Sequence, residues 1–303
     1  VCSTINIMDH IRSVLANLYN APGKTFLIFA GFFGLLFIAL TPPLQTPDEI
    51  VHFMRAYQVS EGNLVSTNKD GVLGGNLPTS ISVADNLMAE NPQIKFNPNN
   101  KYDIHKTIAA LKLPLDKDER SFLNIAGGTN YSPVGYVPQS VAIFIGSLVN
   151  APAVFLMYMA RVASLVTWLG LVYLAIRIIP QKKWAIVGLG TIPMILAQAG
   201  SPGVDAMSIG LGILFISLVL KYRTLVKVAT RQFVLLFIVA CLIALTKQTT
   251  ILVVAFALLL VPTRIATTRL RGILKIGSLI AVPLILLIGW MAVIKLSNLS
   301  IEN

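Results

Sequence analysis

The sequence predicts an all-α, polytopic membrane protein with about seven transmembrane helices and one interfacial helix. Three observations favour this class: 55% of the residues are hydrophobic, only 12% are charged, and the mean hydropathy is +0.75. A soluble domain carries about a quarter charged residues, so most of this chain requires an apolar surrounding. The net charge of +11 comes mainly from basic residues that flank apolar runs. This pattern is typical of membrane topology, and we expect no nucleic-acid partner.

Eight apolar segments are candidates for membrane spans. The apolar run 232–262 is interpreted as two segments that are separated at Lys247. In one long span this charge would lie at the middle of the membrane and cost roughly 2.5 to 3.5 kcal/mol. The first segment is interpreted as an uncleaved span, since residues 38–45 contain no small-x-small cleavage site. The eight segments are residues 25–43, 133–148, 153–179, 184–199, 204–220, 232–246, 249–262 and 273–294.

Basic residues in the short loops predict the topology. If all eight segments crossed and the amino terminus were cytoplasmic, eleven basic loop residues would lie outside. If the segment 133–148 does not cross, all eleven lie inside, as the positive-inside rule requires. We therefore expect 133–148 to be an interfacial helix on the outer face. The eleven residues are Arg177, Lys182, Lys183, Lys221, Arg223, Lys227, Arg231, Arg264, Arg269, Arg271 and Lys275.

The predicted organisation places one large loop outside the membrane. A cytoplasmic segment, 1–24, precedes the first transmembrane helix, 25–43, and the external loop covers 44–152. Six further transmembrane helices lie within 153–295, followed by an external stub, 296–303. A connecting loop of more than a hundred residues usually carries function. Within it, Gly74-Gly75 is interpreted as a turn, and residues 81–89 and 102–111 have helical patterns.

Ionisable and aromatic side chains gather at the predicted outer face, where charged groups beside apolar spans are energetically costly. Each also has a purely structural interpretation. Asp48, Glu49 and Asp205 could cap helices, Arg55, Arg161 and Lys247 could anchor at the interface, His52 could be held by Asp48, and the tyrosines could form an aromatic belt. The occurrence of both signs of charge on one face favours function. The residues are Asp48, Glu49, His52, Arg55, Tyr131, Tyr136, Arg161, Asp205 and Lys247.

Carboxylates beside cations at a membrane surface suit the chemistry of a phosphorylated lipid and a hydroxyl acceptor. A carboxylate can remove the proton of the acceptor or hold a divalent ion, while Lys and Arg neutralise the leaving phosphate. Mg²⁺ and Mn²⁺ are therefore the cofactors to consider. The sequence has no Gly-rich nucleotide loop and no G-x-S-x-G, H-E-x-x-H or Walker pattern, which disfavours nucleotide-dependent enzymes, serine hydrolases and metalloproteases.

Five motifs carry a family resemblance. They are P-D-E-x-x-H-F-x-R-A-Y after the first apolar segment, N-Y-S-P-V-G-Y-V-P at 130–138, A-R-V at 160–162, Asp205-Ala206, and L-T-K-Q-T at 245–249. Together they resemble the bacterial membrane proteins of domain of unknown function 2142, over about residues 25–260. That family is itself similar to the GT-C glycosyltransferases, whose members are longer. A truncated gene, a fragment or a minimal member would each fit a chain that stops at Asn303.

The resemblance implies a GT-C-like module and assigns roles to residues. It implies that Asp48 is the catalytic base or a metal ligand, that Glu49 assists, and that Arg161 and Lys247 contact the donor phosphate. Asp205 would be a second ligand or an acceptor contact. With His52, Arg55, Tyr131 and Tyr136 as further substrate contacts, these residues form the predicted site.

The expected activity is transfer of a sugar from a polyprenyl-phosphate donor to a cell-envelope glycan or glycolipid, at the outer face of the bacterial plasma membrane. Two alternatives remain at this point. One is a transporter of lipid-linked glycans, and the other is a non-catalytic accessory subunit.

Overall fold

The computed structural model describes residues 2–89, 97 and 99–299. Most of these residues are helical, as the sequence predicts. They form a pair of amino-terminal helices, a mixed domain within the predicted external loop 44–152, and a bundle of helices after residue 152. We call the mixed domain the external domain after that prediction. Residues 300–303 of the predicted external stub lie outside the described residues.

The amino-terminal helices are α1 (Cys2–Asn20) and α2 (Pro22–Leu40). Pro22 lies in the first turn of α2, where its missing N–H removes no hydrogen bond. After Leu40 the backbone of Thr41 is extended, because a residue before a proline is biased away from the helical conformation. The chain therefore leaves the end of α2 and enters the external domain.

The external domain contains both helices and strands. The helical patterns at 81–89 and 102–111 are confirmed as α4 and α5. The predicted interfacial segment 133–148 forms a 3-10 helix, Pro133–Tyr136, that continues into α7. The elements are α3 (Glu49–Ser60), β1 (Thr67–Lys69), β2 (Val72–Pro78), α4 (Thr79–Ala89), α5 (Ile104–Leu111), β3 (Arg120–Asn124), α6 (Ala126–Thr129) and α7 (Val137–Leu148).

An antiparallel sheet in the order β1-β2-β3 corrects the all-α prediction. Gly74 and Gly75 lie in its central strand, β2, and the turn predicted there is wrong. The turn lies before β2, at Asp70 and Gly71. Both residues have positive φ, and they join β1 to β2 as a two-residue hairpin loop. Gly74 pairs with β3 so closely that a Cβ atom would lie 2.1 Å from the Leu123 carbonyl oxygen, so the glycine serves a close backbone approach.

The external domain has its own hydrophobic core. Phe53 and Tyr57 of α3 are buried with Leu77 of β2 and Ile81 of α4. The helix that follows this domain, Ala153–Ile178, contributes Leu156 of its first turn to the same core. The domain is thereby packed directly on the helix bundle.

Among the described residues, the bundle contains seven α-helices and one 3-10 helix. Trp168 and Phe215, both fully buried, lie in its core. The predicted segment 184–199 is split in two, because Pro193 cannot continue the first helix and Ile192 before it is extended. As predicted, the chain breaks at Lys247, whose backbone is extended. The helices are α8 (Ala153–Ile178), α9 (Lys183–Gly190), α10 (Pro193–Ala199), α11 (Asp205–Thr224), α12 (Thr230–Thr246), a 3-10 helix (Gln248–Leu259), α13 (Pro262–Ile265) and α14 (Arg269–Leu299), the short α13 being a single turn.

Four helices among the described residues are long and apolar enough to cross a membrane: α2, α8, α11 and α14. The helices Thr230–Thr246 and Gln248–Leu259 are apolar but shorter. The chain is thus a membrane protein with several apolar helices, and the total of seven spans remains a prediction. α14 extends to Leu299, beyond the predicted end of the last span at 294.

Candidate functional site

Four separate segments of the chain meet where the external domain joins the bundle. They are the start of α3, the loop before α7, the start of α11 and the break after α12. The side chains that meet are Asp48, His52, Tyr131, Tyr136, Asp205 and Lys247, six of the nine predicted site residues, and we call them the junction cluster.

Asp48 presents an exposed carboxylate at the first residue before α3. Its backbone is left-handed, with φ of 55°, a conformation that Asp and Asn tolerate better than most residues. Its carbonyl oxygen accepts a hydrogen bond from the N–H of His52 at 3.1 Å. Its side chain makes no capping hydrogen bond to α3, so the structure does not support the interpretation of this carboxylate as a helix cap.

His52 lies at the centre of the junction cluster. Its Nδ1 atom is 2.7 Å from the hydroxyl oxygen of Tyr136, and its ring lies against those of Tyr131 and Tyr136, with centroids 5.6 and 5.9 Å away. Burial lowers the pKa of His52, although the charges of Asp205 and Asp48 act to raise it. Burial also raises the pKa of Tyr136 well above its usual range, so both groups are neutral near pH 7.

Asp205 and Lys247 form an ion pair with 2.5 Å between Oδ1 and Nζ. The two side chains remain 24% and 28% exposed, so both are accessible to a ligand. Burial would lower the pKa of Lys247, but the hydrogen bond and charge of Asp205 raise it overall. The Nζ atom also lies 6.0 Å from the centre of the Tyr131 ring, which places a cation and an aromatic face side by side.

Glu49 and Arg161 form a separate, fully buried pair. Arg161 donates from Nε and Nη2 to the two oxygens of Glu49 at 2.5 and 2.8 Å, and each side chain is at most 1% exposed. Arg161 also donates to the carbonyl oxygens of Thr41 and Pro42 at 2.7 and 3.1 Å. The pair therefore joins the start of α3 to α8 and to the end of α2, with its hydrogen-bonding capacity already used.

Arg55 is also buried, and it interacts electrostatically with Tyr136, but its hydrogen bonds go to groups outside the junction cluster. Its guanidinium donates to Gln58 Oε1 at 2.5 Å and to the Leu64 carbonyl oxygen at 2.6 Å, while its Nε finds no acceptor among the described residues. Burial lowers its pKa to about 10. Its observed contacts hold the segment after α3 in place.

Four residues outside the predicted site, Asn130, Gln139, Gln248 and Trp290, support the junction cluster. The carbonyl oxygen of Asn130 accepts hydrogen bonds from Gln248 at 3.1 Å and Trp290 at 3.3 Å. Buried Gln139 donates to Ser164 and to the Gly203 carbonyl oxygen. Gln248 follows Lys247 in the L-T-K-Q-T motif at 245–249, whereas the only sequence signal for Trp290 is that tryptophan favours membrane interfaces.

The described residues contain no group of three or more His, Cys, Asp or Glu side chains placed to hold a metal ion. A divalent cofactor, Mg²⁺ or Mn²⁺, remains a prediction.

A family model described as a predicted membrane protein (DUF2142) matches residues 29–303. No curated protein matches the chain, and no solved structure does.

Proposed function

The chain belongs to the DUF2142 family of predicted membrane proteins, and from this membrane setting we propose that it is a GT-C-like glycosyltransferase. It transfers a sugar from a polyprenyl-phosphate donor to a cell-envelope glycan or glycolipid at the outer face of the bacterial plasma membrane. The observation that carries the proposal is the junction cluster, in which an accessible carboxylate, a neutral histidine and an accessible lysine meet beside a helix bundle.

The proposed chemistry uses the exposed groups of the cluster. The acceptor hydroxyl oxygen bonds to the anomeric carbon of the donor, and the bond from that carbon to the phosphate oxygen breaks. Asp48 takes the hydroxyl proton as general base. Lys247 neutralises the charge on the leaving polyprenyl phosphate. Asp205 holds Lys247 in place through their ion pair.

Tyr131 and Tyr136 have different proposed roles. Tyr131 lies against both His52 and Lys247, so it offers a ring face for stacking on a sugar. Tyr136 holds His52 by its hydroxyl group, and its own side chain is fully buried. Tyr136 is therefore proposed as a positioning residue.

The buried arginines also act indirectly in this proposal. Glu49 and Arg161 fix the backbone that carries Asp48, and Arg55 fixes the segment after α3. This assignment replaces the direct catalytic and substrate contacts expected of Glu49, Arg161 and Arg55. It follows from their burial, since a donor phosphate would have to displace hydrogen bonds that are already made.

An apolar groove between α7 and α8 suits the lipid part of the donor. It has a volume of about 410 Å³ and is lined by Ala142, Phe155, Val162 and Val166, among others. Tyr158, which also lines it, lies with its ring centre 5.1 Å from the Arg161 guanidinium. The groove thus runs beside the pair that positions α3.

Transfer of radiolabelled sugar tests the proposal directly. The full chain in lipid nanodiscs is given a panel of polyprenyl-phosphate sugars and an envelope extract as acceptor. We expect wild type to transfer label and Asp48→Asn to transfer about a hundredfold less or lower, the usual contribution of a general base. Asp70→Asn is the matched control, because Asp70 has the same left-handed backbone and an exposed side chain but lies in the hairpin turn.

Two outcomes would contradict the proposal. Full activity of Asp48→Asn would remove Asp48 from the role of base. Absence of transfer from every donor, combined with donor binding that survives Asp48→Asn, would instead favour a carrier or an accessory subunit.

A further inference from the structure

A basic cavity lies at the opposite end of the bundle from the junction cluster. It has a volume of about 670 Å³ and is formed by the segment before α12, the loop after α13 and the first turns of α14. Three of its lining residues are cations, and no acidic residue is among the described residues that line it. The cations are Lys227, Arg271 and Lys275.

Backbone groups add to the positive potential of this cavity. Ala229 and Thr230, at the beginning of α12, line it. Alanine has no side-chain oxygen for the N–H groups of the first turn, while its own N–H donates to Gln232 Oε1 at 2.9 Å. Arg271, in the first turn of α14, also lines the cavity, and its N–H donates to Thr268 Oγ1 at 3.3 Å. Two helix amino termini therefore face one cavity together with three cationic side chains, and both effects favour an anion.

The position of the cavity indicates which anion it would hold. Lys275 lies with its Nζ 5.3 Å from the centre of the Phe233 ring, and exposed Leu274 and Val234 are apolar neighbours on the same helices. A ligand here would thus have a charged part beside the cations and an apolar part along α12 and α14. The basic residues also belong to the loops predicted on the cytoplasmic side, where anionic lipids attract polybasic segments.

We propose that this cavity binds the phosphate headgroup of an anionic membrane phospholipid. The site is separate from the junction cluster, and it does not depend on the proposed transferase activity. Binding requires no covalent step.

Native mass spectrometry of the purified chain tests this proposal. The protein, in a neutral detergent, is titrated with phosphatidylglycerol or phosphatidylcholine of the same acyl chains. The test variant is Lys227→Gln with Arg271→Gln and Lys275→Gln. Each basic residue near an anionic membrane surface contributes about fivefold in affinity, so we expect the triple variant to bind phosphatidylglycerol about a hundredfold more weakly and phosphatidylcholine unchanged.

A second triple variant controls for net charge. Lys182→Gln with Lys221→Gln and Arg223→Gln removes three exposed basic residues that do not line the cavity, and it should keep the affinity of wild type. Equal losses in the two triple variants would overturn the proposal, because they would show only non-specific attraction. Equal binding of the two lipids would overturn it as well.

A competition experiment distinguishes binding of the lipid from binding of free phosphate. Inorganic phosphate at about a thousandfold molar excess over phosphatidylglycerol should not displace the lipid, because it lacks the apolar contacts. Full displacement would assign the cavity to free phosphate and overturn the lipid proposal.

Discussion

The protonation of His52 links the junction cluster to pH. Because burial lowers its pKa below 6.5, the unfolded chain binds a proton that the folded chain does not. The contribution to stability is therefore complete above pH 6.5 and is lost as the pH falls through the lower pKa of the folded protein. We expect the unfolding temperature of the detergent-solubilised chain to fall on acidification below that value, and to fall less in His52→Gln.

Exposed His105, in α5, provides the control for this measurement. His105→Gln should retain the pH dependence of wild type. Identical slopes for His52→Gln and wild type would show that another group titrates.

The buried Glu49–Arg161 ion pair should contribute strongly to the stability of the fold, provided that both partners are present. Glu49→Leu leaves the Arg161 charge buried without its partner, which should cost about 3 to 5 kcal/mol. Adding Arg161→Met removes the stranded charge and should restore a large part of the loss. Chemical denaturation in mixed micelles measures both differences.

The Glu61–Arg120 pair is the matched comparison. It is also bidentate, but its side chains are 26% and 31% exposed, and exposed pairs contribute about 1 kcal/mol or less. A loss in Glu61→Leu as large as that in Glu49→Leu would contradict the view that burial sets the cost.

At the scale of elements, the central strand of the sheet depends on Gly74. In Gly74→Ala the new methyl group would meet the Leu123 carbonyl oxygen, so β2 and β3 must separate. We expect a loss of about 2 kcal/mol or more and faster hydrogen exchange of β3 amides. Gly127→Ala, in the same domain, meets only Val51 at an ordinary 3.5 Å and should leave both measurements unchanged.

The elements also show which local signals in the sequence were sufficient. Apolar runs, prolines and Lys247 predicted the helices and several of their ends, because these signals act within a few residues. The sequence predicts a turn at Gly74-Gly75 because a pair of glycines is compatible both with a turn and with the close pairing of two strands. Its true role depends on β3, about fifty residues later in the sequence.

In the candidate site as well, local sequence signals do not show which side chains contact each other. The positions of Asp48, Asp205 and Lys247 beside apolar segments predict that they lie at one face of the apolar helices. The sequence does not distinguish the adjacent carboxylates Asp48 and Glu49. Only the fold determines that Asp48 is exposed and that Glu49 is buried in an ion pair with Arg161. The burial of Arg55 against Leu64 depends on tertiary packing in the same way.

At the scale of the whole molecule, the two ends of the bundle should lie on opposite sides of the membrane. In a chain carrying Cys2→Ser and Cys241→Ser, we expect Asp70→Cys to react with a membrane-impermeant maleimide on intact cells. Lys221→Cys should react only after permeabilisation, because Lys221 belongs to the loops predicted inside. The reverse pattern would place the junction cluster in the cytoplasm and remove the proposed access to an outer-face acceptor.

The length of α14 has a consequence for the whole molecule. Trp290 follows Arg269, the first residue of this helix, by 21 positions, or about 32 Å of helix, close to the roughly 30 Å of a bilayer core. Trp290 also holds the carbonyl oxygen of Asn130, next to Tyr131. A thinner bilayer would tilt α14 and pull on that loop. The position of the loop that carries Tyr131 would then depend on the thickness of the membrane, through the length and tilt of α14.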